Sequence, residues 1–233
     1  MGALPPLPVH ARHAEWSAVS SADDLYTQPN DALVELLLRA ADLARGIHLD
    51  DLAARCRTTQ EADWVRLWPG EHYRLLTALA QVVAPKVVLE VGTFQGPGAL
   101  ALLSGLEGEG RVVTYDVVPW SDVEGCILRS EDFGPRLEQR IGDLTDDVFL
   151  AQETSTLRSA DLIFVDGPKD GVFEPAFVAK VLPLLTDRPR LVVFDDIRRL
   201  NMLQLWRDLP FPKLDATSLG HWSGTGLLLT AVP

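Results

Sequence analysis

Apolar residues recur at helical spacing from the thirties onward: Leu33, Val34, Leu37, Ala41 and Ala44 share one face, behind Asn30 or Asp31 as a cap and ahead of Gly46 as a stop. HLDDLAARC predicts a second, short helix, and after WPG the residues Leu75, Leu76, Leu79 and Val83 predict a third. The period then changes. VVLEV, RVVTYDV, QRIGD, DLIFVD and RLVVFDD are short runs, mostly apolar, interleaved with PGALALLSGL, a loop-rich stretch with room for a helix, and FEPAFVAKVLPLL. Strands of this kind are covered by helices on both faces, which predicts an α/β domain with a parallel sheet. FPKLDATSLGHWSGTGLLLTAV breaks the rhythm and reads as two strands joined by a Gly/Ser turn, an antiparallel hairpin. Residues 1–29 show no lasting period and are expected to form a flexible arm. The expected organisation is that arm, a helical extension over 30–68, and the α/β domain over 69–233.

The opening strand runs into a glycine-rich turn, VVLEVGTFQGPGALALL, and such a turn lets backbone approach a ligand at a helix N-terminus. Gly92, Gly96 and Gly98 have the spacing found in short-chain dehydrogenases, so a nicotinamide cofactor enters the choice. Those enzymes place the loop near the N-terminus and need a Tyr-x-x-x-Lys pair, whereas none of Tyr26, Tyr73 and Tyr115 is followed by Lys at that spacing. Glu90, just before the loop, suits a ligand ammonium or hydroxyl and would repel a phosphate.

With E90-V-G92-T-F-Q-G96 and the lead-in EHYRLLTALAQVVAPKVV, the chain resembles the class I S-adenosylmethionine-dependent methyltransferases, and among them the catechol and caffeoyl-CoA type O-methyltransferases, over roughly residues 65 to 233. The resemblance implies a Rossmann-like seven-stranded sheet with a C-terminal antiparallel hairpin. It implies S-adenosylmethionine bound by Glu90, Gly92, Thr93, Phe94 and Gly96, with Asp116 at the second strand end on the ribose hydroxyls. Gly142 and Asp143 then lie beside the adenine, and Asp166 borders the cofactor.

DLIFVDGPKDG and RLVVFDDI each put acid at the C-terminal end of an apolar strand, the edge where open parallel sheets bind ligands. Three carboxylates brought together there repel one another, and a hard divalent cation is the usual remedy, magnesium first, with manganese and calcium open. The metal-dependent O-methyltransferases have Asp, two residues, then Lys at the fourth strand, matched by Asp166 and Lys169, and Asp-Asn at the fifth, matched by Asp195 and Asp196. The resemblance implies a metal on Asp166, Asp195 and Asp196, with Lys169 taking the proton from the acceptor hydroxyl. Asp196 departs from the family's Asn, which leaves the metal's strength and identity open. If the penultimate strand is parallel to the others, LGHWSG returns to the same edge and makes His221 and Trp222 contacts for the acceptor.

A net charge of −12 argues against a nucleic-acid partner, since binding phosphates relies on clustered Lys and Arg. Cys56 and Cys126, far apart, suggest neither a zinc site nor a disulfide and fit a reducing cytoplasm. The N-terminal residues lack the apolar run of a signal peptide, and no segment approaches the ~18 to 20 apolar residues of a membrane span. The expected activity is cation-assisted O-methylation of a small molecule with adjacent oxygens, such as a catechol or a sugar diol, by a monomer or homodimer. A metal-independent methyltransferase in which His221 or another base acts and the aspartates are structural, and a non-catalytic cofactor-binding or interaction protein, are the rivals.

Overall fold

The computed structural model describes residues 27–231. The arm expected over 1–29 falls outside them except for its last three residues. Helix α1 (Asp31–Ala44) begins where Asn30 Oδ1 accepts from the Leu33 N–H at 2.9 Å, and it ends just before Gly46. α2 (Asp50–Ala53) is a single turn. α3 (Thr59–Arg66) is absent from the sequence reading, although Thr58 and Glu61 cap it reciprocally, each side chain accepting from the other's backbone N–H. α4 (Tyr73–Val83) then leads into β1 (Val87–Val91), α5 (Pro97–Ser104), β2 (Arg111–Asp116) and β3 (Leu137–Ile141). α6 (Asp147–Ser159), β4 (Leu162–Val165), α7 (Phe173–Lys180), β5 (Leu191–Asp195), α8 (Met202–Asp208), β6 (Lys213–Asp215) and β7 (Thr225–Leu229) follow.

The strands form one sheet in the order β3-β2-β1-β4-β5-β7-β6, a mixed seven-stranded Rossmann-like α/β sheet. β1 to β5 pair in parallel, and β7 is antiparallel to both β5 and β6. β6 therefore runs the same way as β5. The connection over 216–224, with a 3₁₀ turn at Thr217–Leu219, returns to the edge where β1 to β5 end. It is a looser link than the Gly/Ser turn expected.

Strand residues alternate between two cores. Val88, Val112, Leu162 and Leu191 pack with Leu33 of α1, Leu76 of α4 and Ala99 of α5. Leu89, Val113, Ile163 and Val192 pack with Leu157 of α6, Phe177 of α7 and Trp206 of α8. α1 lies on α4 and touches β6 and β7, so its apolar face belongs to the first core.

α6 and α8 are also missing from the sequence reading. α6 meets the sheet through polar groups: Glu153 and Thr156 are buried beside Leu157. The Tyr115 hydroxyl donates to Glu153 at 2.7 Å, and Arg140 donates to Glu153 and to Thr156. A helix docked by paired polar groups offers little apolar stripe to read. Among the described residues no helix is long and apolar enough to cross a membrane.

Candidate active site

The exits of β1, β2 and β3 are shaped by what their residues lack. Gly92 has φ +97, and a Cβ there would lie 2.1 Å from the Asp166 carbonyl oxygen, so the chain leaving β1 passes the chain leaving β4 only without a side chain. Gly96, with φ +90, precedes α5, and a Cβ on it would meet Leu128 at 2.3 Å. Gly98 lets the first turn of α5 close over Glu90, whose Oε1 would be 2.2 Å from an added Cβ. Glu90 is accordingly 1% exposed, and its Oε2 accepts from the Thr114 hydroxyl at 2.6 Å. Burial pushes this carboxyl well above the usual range, with the Thr114 hydrogen bond pulling the other way. The group read from sequence as meeting a ligand thus has its observed partner inside the protein. Thr93 is buried too, its hydroxyl 2.7 Å from that of Thr114.

Phe94 stands out from the loop at φ +41, its side chain exposed and its N–H donating to Asp116 Oδ2 at 3.0 Å. Asp116 Oδ1 accepts from the Val118 N–H, also at 3.0 Å. Val117, Val118 and Ile141 are exposed on the same edge. Gly142 donates its N–H to the Asp116 carbonyl at 2.9 Å and lies against the Phe149 ring, and Asp143 Oδ1 accepts from the backbone and hydroxyl of Thr145, both at 2.7 Å.

Beyond β1 the edge is built from charge. Asp166 follows β4, Asp195 ends β5 and Asp196 follows it, and one carboxylate oxygen of each lies within 4.8 Å of the others. The Lys169 ammonium sits among them, paired with Asp166 and 3.5 Å and 3.9 Å from Asp196 Oδ2 and Asp195 Oδ2. Lys169 and Asp196 hold left-handed backbone, φ 53 and φ 58, at a cost of roughly 1–2 kcal/mol each. Such strain persists where surroundings over-determine it, often at functional sites. The Lys169 N–H donates to the buried Glu174 Oε1 at 2.8 Å, which ties the lysine turn to α7.

Asp195 shares strand parity with Leu191 and Val193 and so faces the α4 side of the sheet. There the residues leading into α4 join the cluster. His72 Nδ1 lies 3.3 Å from Asp195 Oδ1. His221 Nδ1 lies 3.1 Å from Asp195 Oδ1, 2.8 Å from Ser223 Oγ and 3.7 Å from Asp196 Oδ1, while its Nε2 is 3.7 Å from Glu71 Oε2. Three hydrogen bonds hold the two segments together: Gly70 N–H to the Gly220 carbonyl (3.0 Å), Trp222 N–H to the Gly70 carbonyl (3.1 Å), and Trp68 Nε1–H to the Leu219 carbonyl (2.7 Å). Sequence reading pointed to His221 and assigned no role to Glu71 and His72, although both open the EHYRLL stretch that carries the family resemblance. Trp222 sits beside Gly70 with its ring largely exposed.

The charges bias one another. Burial would raise Asp195, but the positive field of His72 and the hydrogen bond from His221 outweigh it and hold the carboxyl well below its ordinary value. Burial and the Asp195 charge push Asp166 up against the pull of Lys169. Lys169 and His221 are both raised, burial being overcome by the carboxylates around them. Glu71 is raised by burial, with His221 and His72 opposing.

Residues 49–203 match the family profile described as O-methyltransferase, a span that holds Glu71, His72, the glycine loop, Asp166, Lys169, Asp195 and Asp196 and stops before His221. A protein of Mycobacterium sp. (strain KMS), named as an inferred O-methyltransferase, is 35% identical over 122 residues, 51% of this chain and 52% of that protein. One from Mycobacterium leprae (strain Br4923), named likewise, is 28% identical over 180 residues, 76% of this chain and 71% of its own. The chain thus spans about half the length of the first of these relatives. Among solved structures, a methyltransferase from Geobacter sulfurreducens superposes with a TM-score of 0.51 at 22% identity, over 67% of this chain and 77% of that one. A cofactor-bound protein from MTB does so with a TM-score of 0.50 at 22% identity, over 87% and 98%. These two show the fold. The profile, which takes in both the glycine loop and the carboxylates of β4 and β5, shows the lineage: the chain belongs to the O-methyltransferase family.

Proposed function

We propose that the protein transfers a methyl group from S-adenosylmethionine to a hydroxyl of a small molecule bearing adjacent oxygens, catechol-like or a sugar diol, with a divalent cation at Asp166, Asp195 and Asp196. The observation that carries this reading is the gathering of those three carboxylates around Lys169, at the strand-end edge next to the glycine loop. The residues suit a hard cation: all donors are oxygens, and Asp196 Oδ1 is buried without a hydrogen-bond partner. When bound, such a cation lowers the pKa of a coordinated hydroxyl and neutralises the carboxylates.

The chain's own residues supply the rest. Gly92 and Gly96 let the loop turn at positive φ hard against Asp166 and Leu128, Asp116 offers two oxygens to ribose hydroxyls, and Phe94, Val117, Val118 and Ile141 provide an apolar border for the adenine. Lys169 holds its proton while the carboxylates around it are unneutralised. With those carboxylates engaged by a cation, the ammonium would give one proton to solvent, and the neutral amine would then take the acceptor's hydroxyl proton. The oxygen lone pair then forms the O–C bond, and the C–S electron pair returns to sulfur. The protein contributes mainly alignment. Exposed Val172, Leu200 and Trp222 favour an acceptor with a flat apolar body.

A chelator should abolish turnover and added magnesium restore it, while calorimetric cofactor binding survives. Lys169→Met should keep cofactor and cation and lose turnover by about 10²- to 10⁴-fold, as on removal of a general base. Asp196→Asn should be tolerated, since Asn also accepts left-handed backbone. Turnover untouched by chelation and lost in His221→Ala would instead favour the metal-independent reading, in which the Asp195–His221 pair provides the base.

A further inference from the structure

Among the described residues, His72 Nδ1 and Asp196 Oδ1 are buried without a hydrogen-bond partner, the first 3.3 Å from Asp195 Oδ1 and the second 3.7 Å from His221 Nδ1. His72 is 4% exposed, wedged between the rings of Tyr73, Phe164 and His221. Its Nδ1 lies 3.3 Å from Asp195 Oδ1 yet makes no hydrogen bond to it. At that distance Nδ1 either carries a proton toward the carboxylate or, as a bare lone pair, needs a cation between the two, and the second state is the one a metal selects. The wider cluster asks for the same charge. Glu71, Asp166, Asp195 and Asp196 bring four carboxylates, against which the neighbouring fixed cations are Lys169 and Arg199, the latter 3.5 Å from Asp196 Oδ2. A cation bound between these carboxylates and the imidazoles would supply positive charge with both rings neutral. Ligand atoms of His72, His221 and Asp195 lie within 4.8 Å of one another, and Asp196 Oδ1 is 3.7 Å from His221 Nδ1.

We propose that His72 and His221 act with Asp195 and Asp196 as a mixed nitrogen and oxygen metal centre that takes a first-row dication such as zinc or cobalt in preference to magnesium. The inference rests on the cation reading above and changes its donor set. Imidazole nitrogen suits zinc and its neighbours in the first row, whereas magnesium takes oxygen and keeps much of its water. The buried Asp195 carboxylate, already between the two rings, is the natural shared ligand, and the carboxylate at Asp196 in place of the family's Asn adds a negative oxygen on the same side. Tyr73 and Phe164 restrict the His72 ring, and the contact of Ser223 Oγ with His221 Nδ1, 2.8 Å, is the one that nitrogen would exchange for a cation.

The test uses the full-length chain stripped of metal, titrated by calorimetry with Zn²⁺, Co²⁺ and Mg²⁺, beside His72→Phe and His221→Phe, which keep a ring and remove its nitrogens. Each substitution should weaken Zn²⁺ and Co²⁺ binding by about tenfold or more, the effect of losing an imidazole donor, and leave Mg²⁺ affinity within about twofold. Should a variant fail to fold by circular dichroism, proton NMR of the Co²⁺-loaded wild type reads the donors directly: an exchangeable, paramagnetically shifted imidazole N–H for each ligating ring. Cation binding indifferent to both histidines, or a Co²⁺ spectrum without shifted imidazole protons, overturns this inference and leaves the carboxylate site standing. No binding of any of the three cations removes both readings, and loss of Mg²⁺ in Asp166→Ala tests the carboxylate site alone.

Discussion

The strand-end edge has two halves made by opposite means. At β1 to β3 the shape comes from backbone and from missing side chains: at Gly92, Gly96 and Gly98 neighbouring protein atoms come closer than a Cβ would allow. Asp116, the acid there, is hydrogen-bonded to two loop N–H groups and half exposed. At β4, β5 and β7 the shape comes from titratable side chains that are nearly all buried and lie within reach of one another. The first half is a set of separable local requirements; the second is one coupled network, where each charge depends on its neighbours.

The largest effect expected of that contrast is on stability. Asp195→Ala leaves Lys169, His72 and His221 without their shared carboxylate, and removing one partner of a buried ionic cluster costs about 3–5 kcal/mol. Asp116→Ala, at a half-exposed strand end, should cost no more than about 1 kcal/mol. Urea unfolding midpoints compare the two, and equal losses would break the distinction between a coupled and a separable half.

The next effect is on the cofactor. Gly92→Ala strains a φ of +97 and drives a methyl into the Asp166 carbonyl, so it should weaken S-adenosylmethionine binding by about tenfold or more, about 1.4 kcal/mol. Because that carbonyl belongs to the residue that starts the charged half, acceptor turnover should fall as well. Calorimetry and initial rates together show whether the two halves communicate through this contact, and unchanged affinity in a folded variant would place the cofactor elsewhere. The smallest effect belongs to Trp222→Ala. Its ring is 62% exposed, so stability should stay within about 0.5 kcal/mol while the acceptor KM rises and the cofactor Kd holds.

Much of this was legible residue by residue. The helix cap at Asn30, the strands, the glycine loop and the acids at the ends of β4 and β5 all follow from patterns a few residues long. α6 was not legible, because it docks through Glu153 and Thr156 onto Tyr115 and Arg140 rather than through an apolar stripe. α3 carried a signal in Thr58 and Glu61 that a search for apolar periodicity passes over. Glu90 was placed correctly at its strand end, but its direction was not, since strand order says nothing of the close approach of Gly98 that seals it in.

Residue patterns along the chain thus carry local facts: which segments are strand or helix, where backbone must turn without a side chain, and which strands finish in acid. Hydrophobic period and glycine spacing act within a few residues, so they can be read along the chain. It is the packing of the sheet and its helices that makes the segment before α4 and the segment before β7 meet over Asp195. Strand parity turns that carboxylate toward α4, and the parallel course of β6 brings His221 back to the same edge. The hydrogen bonds between Gly70 and residues 220–222 then hold His72 opposite it. Contacts between residues so far apart in sequence leave no spacing to read, because they are set by how the sheet is ordered and what packs on each of its faces.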